Sequence, residues 1–267
     1  MPRVSVIIPC YNHGAFIQET IDSVIAQTYS DWEIIIVNDG STDKSTIRTL
    51  TNIHLTKVKL INTPNQGLGA ARNTGIRHAS GEIILPLDSD DKLEPHYIEK
   101  ALKVMDQNVK IGLVNSIVRY FGERNGIMPI PPYSPGNIFL WNCFSPSSLF
   151  YRRDCEKTEG FDAVSRSGFE DWDFWVSILE LGVLAYRIPE VLFFYRYRKN
   201  SMFRTLSEDH KFNAHLQILL KHKEFFWSNL ESVLHQVYRL NRGIFKKLKE
   251  DMLLPLLKIA SPLKNKT

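Results

Sequence analysis

The sequence predicts an α/β fold with a mostly parallel, Rossmann-like central sheet covered by helices on both faces. Three observations carry this reading. Short β-branched runs alternate with segments of helical periodicity, and each run stops at a polar, turn-forming cluster. The fourth run, Ile83-Ile84-Leu85-Pro86-Leu87, ends in Asp88-Ser89-Asp90-Asp91. Continuous apolar runs mark buried parallel strands, and right-handed helical crossovers join such strands.

The elements follow in order. Val4 to Ile8, closed by Pro9, reads as a buried first strand, and Phe16/Ile17, Thr20/Ile21 and Val24/Ile25 recur at helical spacing after it. Trp32 to Val37 is the second strand; Asn38-Asp39-Gly40-Ser41-Thr42-Asp43 ends it and offers Ser41, Thr42 or Asp43 as the cap of the next helix. A third strand, Val58 to Ile61, leads through Asn65-Gln66-Gly67 into a helix from Leu68 to His78. The acidic stretch ends the fourth strand, where open α/β sheets bind ligands. A helix from about Glu94 to Met105 and a strand from Ile111 to Tyr120 come next. The proline-rich stretch from Gly122 to Asn137 has the length of an acceptor-binding loop or lid, or of a plain surface excursion. Beyond it the pattern predicts a strand over Ser147 to Tyr151, an amphipathic helix over Glu170 to Leu181, two short strands, Leu184 to Ile188 and Val191 to Tyr195, and helix from Glu208 onward.

Length and composition suit one large α/β domain or one domain with an appendage; the element pattern places the domain over residues 1–205, with halves meeting near residue 107, and a helical extension over 206–267. The N-terminal apolar run is too short for a signal-peptide core, which predicts a cytoplasmic protein. Cys10, Cys143 and Cys155 fit neither a disulfide framework nor a thiolate metal site, so all three read as reduced. The formal net charge is +4, but from Arg239 to the end eight Lys/Arg stand against Glu250 and Asp251. The body before them is therefore mildly acidic, which argues against a nucleic-acid surface. The tail mixes lysines with leucines as an interfacial or partner-docking helix does, with Pro255 interrupting it and no uncharged stretch of the ~20 residues a membrane span needs.

Clustered carboxylates after a strand can be a solvated turn. They can also hold a cation, which relieves their like-charge repulsion, and hard oxygen ligands suit Mg²⁺ or Mn²⁺. Asp90 is the first candidate ligand; Asp88 fits either the metal or a ribose, and Asp91 fits a cap for the helix beginning near Glu94. Asp39 is an acceptor at a strand end, suited to a base N–H or to an Asx-turn. Glu170-Asp171 opens a predicted helix, where acids favour the dipole and where a general base could also sit; Asp173 is the runner-up. The eight histidines show no metal spacing and read as structural.

VSVIIPCYN, VNDGSTD, NQGLGAARNTG, LDSDD and GFEDWDFW, in this order, resemble glycosyltransferase family 2, nucleotide-sugar transferases of the GT-A fold. The resemblance runs from Val4 to about Ser201. It implies inverting transfer from a nucleotide-sugar donor, with UDP the usual nucleotide, to a glycan or lipid-linked acceptor in cell-surface polysaccharide synthesis. It further implies a donor site from Pro9, Tyr11, Asn12, Asp39, Asn65, Arg72, Asp88 and Ser89, and a metal site for Mn²⁺ or Mg²⁺ at Asp88 and Asp90. Asp171 becomes the base with Glu170 in support. Arg198 stands where the family often has histidine, which keeps a cation for the diphosphate and removes a titrating imidazole. The competing enzyme reading, a nucleotidyltransferase, lacks its phosphate loop after the first strand. A non-catalytic nucleotide-sugar-binding subunit would not need both Asp90 and Asp171.

Overall fold

A computed structural model describes residues 1–163, 168–199 and 201–242. Its first part alternates as the sequence predicts: β1 (Val4–Cys10), α1 (Ile17–Ile25), β2 (Trp32–Asp39), α2 (Lys44–Thr51), β3 (Val58–Thr63), α3 (Leu68–Arg77) and β4 (Ile83–Pro86). These four strands lie parallel in the order β3-β2-β1-β4. Both faces of β1 are buried because its alternating residues feed two cores. Val4, Val6 and Ile8 join the face covered by α1, whereas Ile7 joins Ile35, Val37 and Ile84 on the face covered by α3. A Cβ on Gly75 would lie 2.3 Å from Ile7 Cγ2, so the glycine lets α3 approach the sheet closely. Asp43 caps α2, accepting from Ser45 N and Thr46 N at 3.3 and 2.9 Å.

The second part departs from a purely parallel pattern. It comprises β5 (Lys92–Leu93), α4 (Tyr97–Gln107), β6 (Ile111–Gly122), β7 (Gly126–Ile127), α5 (Pro135–Leu140), β8 (Leu149–Tyr151), α6 (Arg152–Cys155), α7 (Glu170–Glu180) and β9 (Leu184–Tyr197). Strand β8 runs antiparallel between β4 and β6, β9 is parallel to β6, and β5 pairs antiparallel with β9. The sheet is thus mixed but mostly parallel: β3, β2, β1, β4, β6 and β9 run one way, and β8 and β5 run the other.

Several expected boundaries move for identifiable reasons. Helix α4 starts at Tyr97 rather than Glu94, because Lys92 and Leu93 pair with β9 and Glu94 N donates to Leu192 O at 2.9 Å. Asp91 therefore caps no helix; its Oδ1 accepts from Arg196 N at 2.7 Å. Strand β8 is shorter than expected at its start, where Ser148 Oγ instead closes a turn onto Ser145 O. The two short strands expected after α7 are one strand whose register slips around Pro189, which has no N–H to contribute to a ladder. Helix α7 is buried from Trp172 to Leu179 on all sides instead of amphipathic, since later helices cover its outer face.

Those helices are α8 (Met202–Thr205), α9 (Glu208–Lys221), α10 (Lys223–Ser228) and α11 (Leu230–Leu240). Ala214, Ile218, Phe226 and Val233 belong to the same core as Trp172 and Phe174. The basic amphipathic tail read from Gly243 onward lies outside the described residues. No described helix is long and apolar enough to cross a membrane. The three cysteines are buried and unpaired with one another.

Candidate active site

The C-terminal ends of β1, β2 and β4 open onto a cavity of about 1100 Å³. Leu87 N still donates to Ile7 O at 2.9 Å, so Asp88 is the first residue delivered beyond the sheet. The candidate residues read from the sequence line this cavity, except Asn12 and the runner-up base Asp173: Pro9, Tyr11, Asp39, Asn65, Arg72, Asp88, Ser89, Asp90, Glu170, Asp171 and Arg198. Asn12 instead joins two loops. Its Oδ1 accepts from Thr42 N and Asp43 N at 2.8 and 2.9 Å, at a left-handed φ of 54° that asparagine tolerates.

Asp39 is buried, and its carboxylate accepts from Gln66 N at 2.9 Å and Gly67 N at 2.8 Å, just ahead of α3. The local turn is closed by Asn38 instead, whose Oδ1 accepts from Ser41 N at 3.1 Å. Tyr11, 44% exposed, stands free at the rim.

Arg72 is not the surface arginine that an amphipathic helix allows; it is 1% exposed and joins the two acidic groups. Its Nη2 donates to Asp88 Oδ1 at 2.8 Å and its Nη1 to Glu170 Oε1 at 3.2 Å. Burial works against its charge, but Asp88, Glu170 and Asp171 outweigh burial and raise its pKa. Glu170 is thereby committed to an ion pair inside the protein.

Asp90 is paired separately: Arg198 Nη2 donates to its Oδ2 at 2.7 Å and reaches His13 Nε2 at 3.1 Å, while His13 Nδ1 lies 2.9 Å from Ser89 Oγ. Burial, joined by the charge of Asp88, pushes the Asp90 pKa up, with His13 and Arg198 opposing. Asp91 sits deeper, and burial together with Asp90 and Asp88 holds its pKa well above the carboxylate range. Arg196 completes this corner: its Nε donates to Asp90 O at 2.7 Å, its Nη2 pairs with Glu19, and its guanidinium lies 4.8 Å from the Phe16 ring.

The opposite wall differs in kind. Asp171 accepts from Asn142 Nδ2 at 3.0 Å and from Trp172 N at 2.8 Å, both neutral donors. Burial and then the neighbouring Glu170 charge push its pKa up to about 7. Asp173 points elsewhere, onto Lys221 at 2.8 Å and His222 at 3.0 Å, and is not a cavity residue. Trp172 and Trp175 are both buried, and only Trp172 touches the cavity. Met128 to Pro131 bring the proline-rich stretch to the rim, Trp141 and Asn142 line it just after α5, and Glu208, Lys211, Phe212 and His215 of α9 close the far side.

Sequence reasoning passed over His13, Arg196, Trp141 and Asn142. His13 directly follows the Tyr11-Asn12 motif, and Arg196 precedes Arg198 by the period of a strand, so both carried a local signal. Trp141 and Asn142 carried none.

A Rossmann-like sheet with paired acids and arginines at the ends of its parallel strands defines a GT-A type transferase architecture. Within that class, the family model for glycosyl transferase family 2 matches residues 5–169, and the chain belongs to this family. It is 31% identical to the putative glycosyltransferase EpsE of Bacillus subtilis, over 75% of this chain and 74% of that protein. It is 35% identical to an uncharacterized glycosyltransferase of Nostoc sp., over 65% of this chain, and spans 56% of that relative's length. A chondroitin synthase of Escherichia coli is 31% identical over 68% of this chain, which covers 27% of the synthase. Two solved structures share the fold. S. aureus TarS in complex with UDP-GlcNAc has a TM-score of 0.70 at 18% identity, covering 94% of this chain and 76% of that one. The mannosyltransferase PcManGT of Pyrobaculum calidifontis, in complex with GDP-Man and Mn²⁺, has a TM-score of 0.62 at 21% identity, covering 98% and 81%.

Proposed function

We propose that this transferase moves a sugar from a nucleoside diphosphate, UDP by preference, onto a glycan or lipid-linked acceptor in cell-surface polysaccharide synthesis, with inversion at the anomeric carbon. The observation that carries the reading is the contrast across one cavity. Carboxylates paired with arginines form one wall, and Asp171, with a pKa up to about 7 and neutral partners, forms the other. Relatives named as chondroitin and hyaluronan synthases support a glycan acceptor, and neighbours holding UDP-GlcNAc and GDP-Man support a nucleotide-sugar donor.

In this reading residues 1–107 bind the donor, 108–205 supply the acceptor wall, and the extension from 206 closes it. Tyr11 flanks the base at the rim, Asp39 and Asn65 line its edge, and Arg198 and Arg72 offer positive charge toward the diphosphate. Asp171 takes the proton from the acceptor hydroxyl as that oxygen attacks the anomeric carbon. The bond from that carbon to the diphosphate oxygen breaks, and its electron pair leaves with the nucleotide. A base near 7 is about half ionised at neutral pH, which suits proton removal without loss of basicity.

The donor set fits Mn²⁺ or Mg²⁺. Arg72 and Arg198 each engage one carboxylate oxygen, Asp88 Oδ1 and Asp90 Oδ2, so each acid keeps a second oxygen for a cation. Among the described residues no cluster of three or more protein ligands forms. Two carboxylates completed by diphosphate oxygens is the arrangement that hard divalent ions use with nucleotides. Such an ion, when bound, offsets the charge developing on the leaving diphosphate. A cytoplasmic site, with the basic tail meeting anionic lipid at the inner membrane face or a partner helix, belongs to the same reading.

A thermal-shift panel of UDP-, GDP- and dTDP-sugars, each with and without Mn²⁺, tests it. The expected result is stabilisation by a UDP-sugar that Mn²⁺ enhances. Absence of stabilisation by any sugar nucleotide in the presence of metal defeats the proposal.

A further inference from the structure

We infer that Asn142 is a positioning residue for Asp171, holding the carboxylate in one orientation and favouring its ionised form from a loop remote in sequence. The inference rests on the reading of Asp171 as the base.

The geometry leaves Asn142 one role toward Asp171. A side-chain amide can present either its nitrogen or its oxygen, and the hydrogen-bond network decides which. Here Asn142 Oδ1 is committed, accepting from Phe144 N at 3.1 Å. The nitrogen end therefore faces Asp171 and donates to Oδ2 at 3.0 Å. The segment carrying Asn142 is itself anchored to helix α7, since Trp172 Nε1 donates to Ile138 O at 3.0 Å. Two bonds thus pin the first turn of α7 to α5 and the residues just after it. Helix α5 is in turn seated on α11: Gly136 N donates to Ser232 Oγ at 3.1 Å, and a Cβ at Gly136 would lie 2.3 Å from Ser232 O. Asn142 is consequently held on a braced element. Its neighbour Trp141 is 38% exposed on the cavity wall, so an acceptor sugar stacking there would arrive beside this hydrogen bond.

The charged groups facing Asp171 are Glu170 on its own helix, Arg72 of α3 and Asp88 after β4, with Glu208, Lys211 and His215 of α9 lining the same cavity. Arg72 is engaged by Asp88 and Glu170. Among the described residues, Asn142 Nδ2 and Trp172 N are the direct donors to the carboxylate. A donor to the charged form favours that form, so removing Asn142 makes Asp171 harder to ionise and frees its rotamer.

The test uses the full chain labelled with carbon-13 at the aspartate carboxyl, titrated by NMR, with Asp171→Asn identifying the resonance. Asn142→Ala should raise the Asp171 midpoint by about one pH unit. It should also lower kcat about tenfold or more while the KM for the sugar nucleotide holds. Asn142→Asp keeps the oxygen that accepts from Phe144 N and replaces the donor with a like charge, so its midpoint should rise further. This near-isosteric variant carries the test if the alanine variant does not fold. A midpoint unmoved in the folded variants overturns the inference. Turnover is followed as release of nucleoside diphosphate. Wild-type turnover in Asp171→Asn defeats the base reading itself; an inactive Asp171→Asn with unmoved midpoints in the Asn142 variants defeats only the positioning role.

Discussion

The aspartates of the two cavity walls are the same residue type with opposite surroundings. On the donor wall Asp88 meets Arg72 and Asp90 meets Arg198, so each negative charge has a guanidinium within 2.8 Å. On the acceptor wall Asp171 meets an amide and a backbone N–H, and its pKa climbs to about 7. At Asp90 burial raises the pKa while His13 and Arg198 oppose it, whereas at Asp171 burial and the Glu170 charge, with neutral hydrogen-bond donors, make a proton acceptor near neutral pH. On the proposed reading one cavity holds a charge-handling side and a proton-handling side, and Arg72 with Glu170 forms the seam between them.

The largest expected effect comes from abolishing the proton-handling side. Asp171→Asn should lower kcat by about 10²–10⁴-fold while sugar-nucleotide binding, followed by thermal shift, stays close to wild type. In the unaltered enzyme, activity should rise with pH through the Asp171 value of about 7, because only the ionised base works. An activity profile flat from pH 5 to pH 8 contradicts the assignment.

Cutting the seam is next. Arg72→Met leaves Glu170 buried without its cation and Asp88 without its partner, an expected loss of about 3–5 kcal/mol in urea unfolding. A variant as stable as wild type would show that the two walls are electrostatically independent. On the donor wall alone, Arg198→Ala removes a partly exposed guanidinium from Asp90, and solvent screening limits the effect. Titration calorimetry with a sugar nucleotide should show binding about tenfold weaker, with the kcat pH profile unmoved.

The smallest effect concerns Asp173, which faces neither wall. His222 bridges Asp173 and Glu180 at 3.0 Å each, and Lys221 meets Asp173 from the same side. Burial lowers the His222 pKa, but these two acids outweigh it and the net direction is up. A raised folded-state value means that its stabilisation is fully present below the unfolded value and is lost as pH rises through the folded one. Unfolding free energy should therefore decline as pH rises above about 6.5 and through the folded-state value, and His222→Gln should remove that decline. A decline that survives in His222→Gln would assign it to another group.

Much of this was legible in the chain. The apolar runs of β1, β2 and β4 and their polar endings marked both the strands and the sheet edge at which Tyr11, Asp39, Asp88 and Asp90 gather. The five ordered motifs carried the family, and Glu170-Asp171 was visible as an acidic helix start. The mixed direction of β8 was not visible, because a three-residue strand carries no sign of its partner's direction. The burial of α7 on all sides was hidden for a related reason: its polar positions are met by Lys221 and His222, residues of a distant helix end.

By itself the sequence determined where strands end and which acids stand there, since apolar periodicity and turn chemistry act over neighbouring residues. Tertiary structure alone decided what each acid became. Asp91 passed from a candidate cap to a buried group held by Arg196, Arg72, expected in the donor site, became a buried bridge between Asp88 and Glu170, and Asp171 acquired Asn142 from a stretch with no motif. The reason is physical: a carboxylate's charge state depends on desolvation and on partners brought together by packing, and neither is encoded in its immediate neighbours.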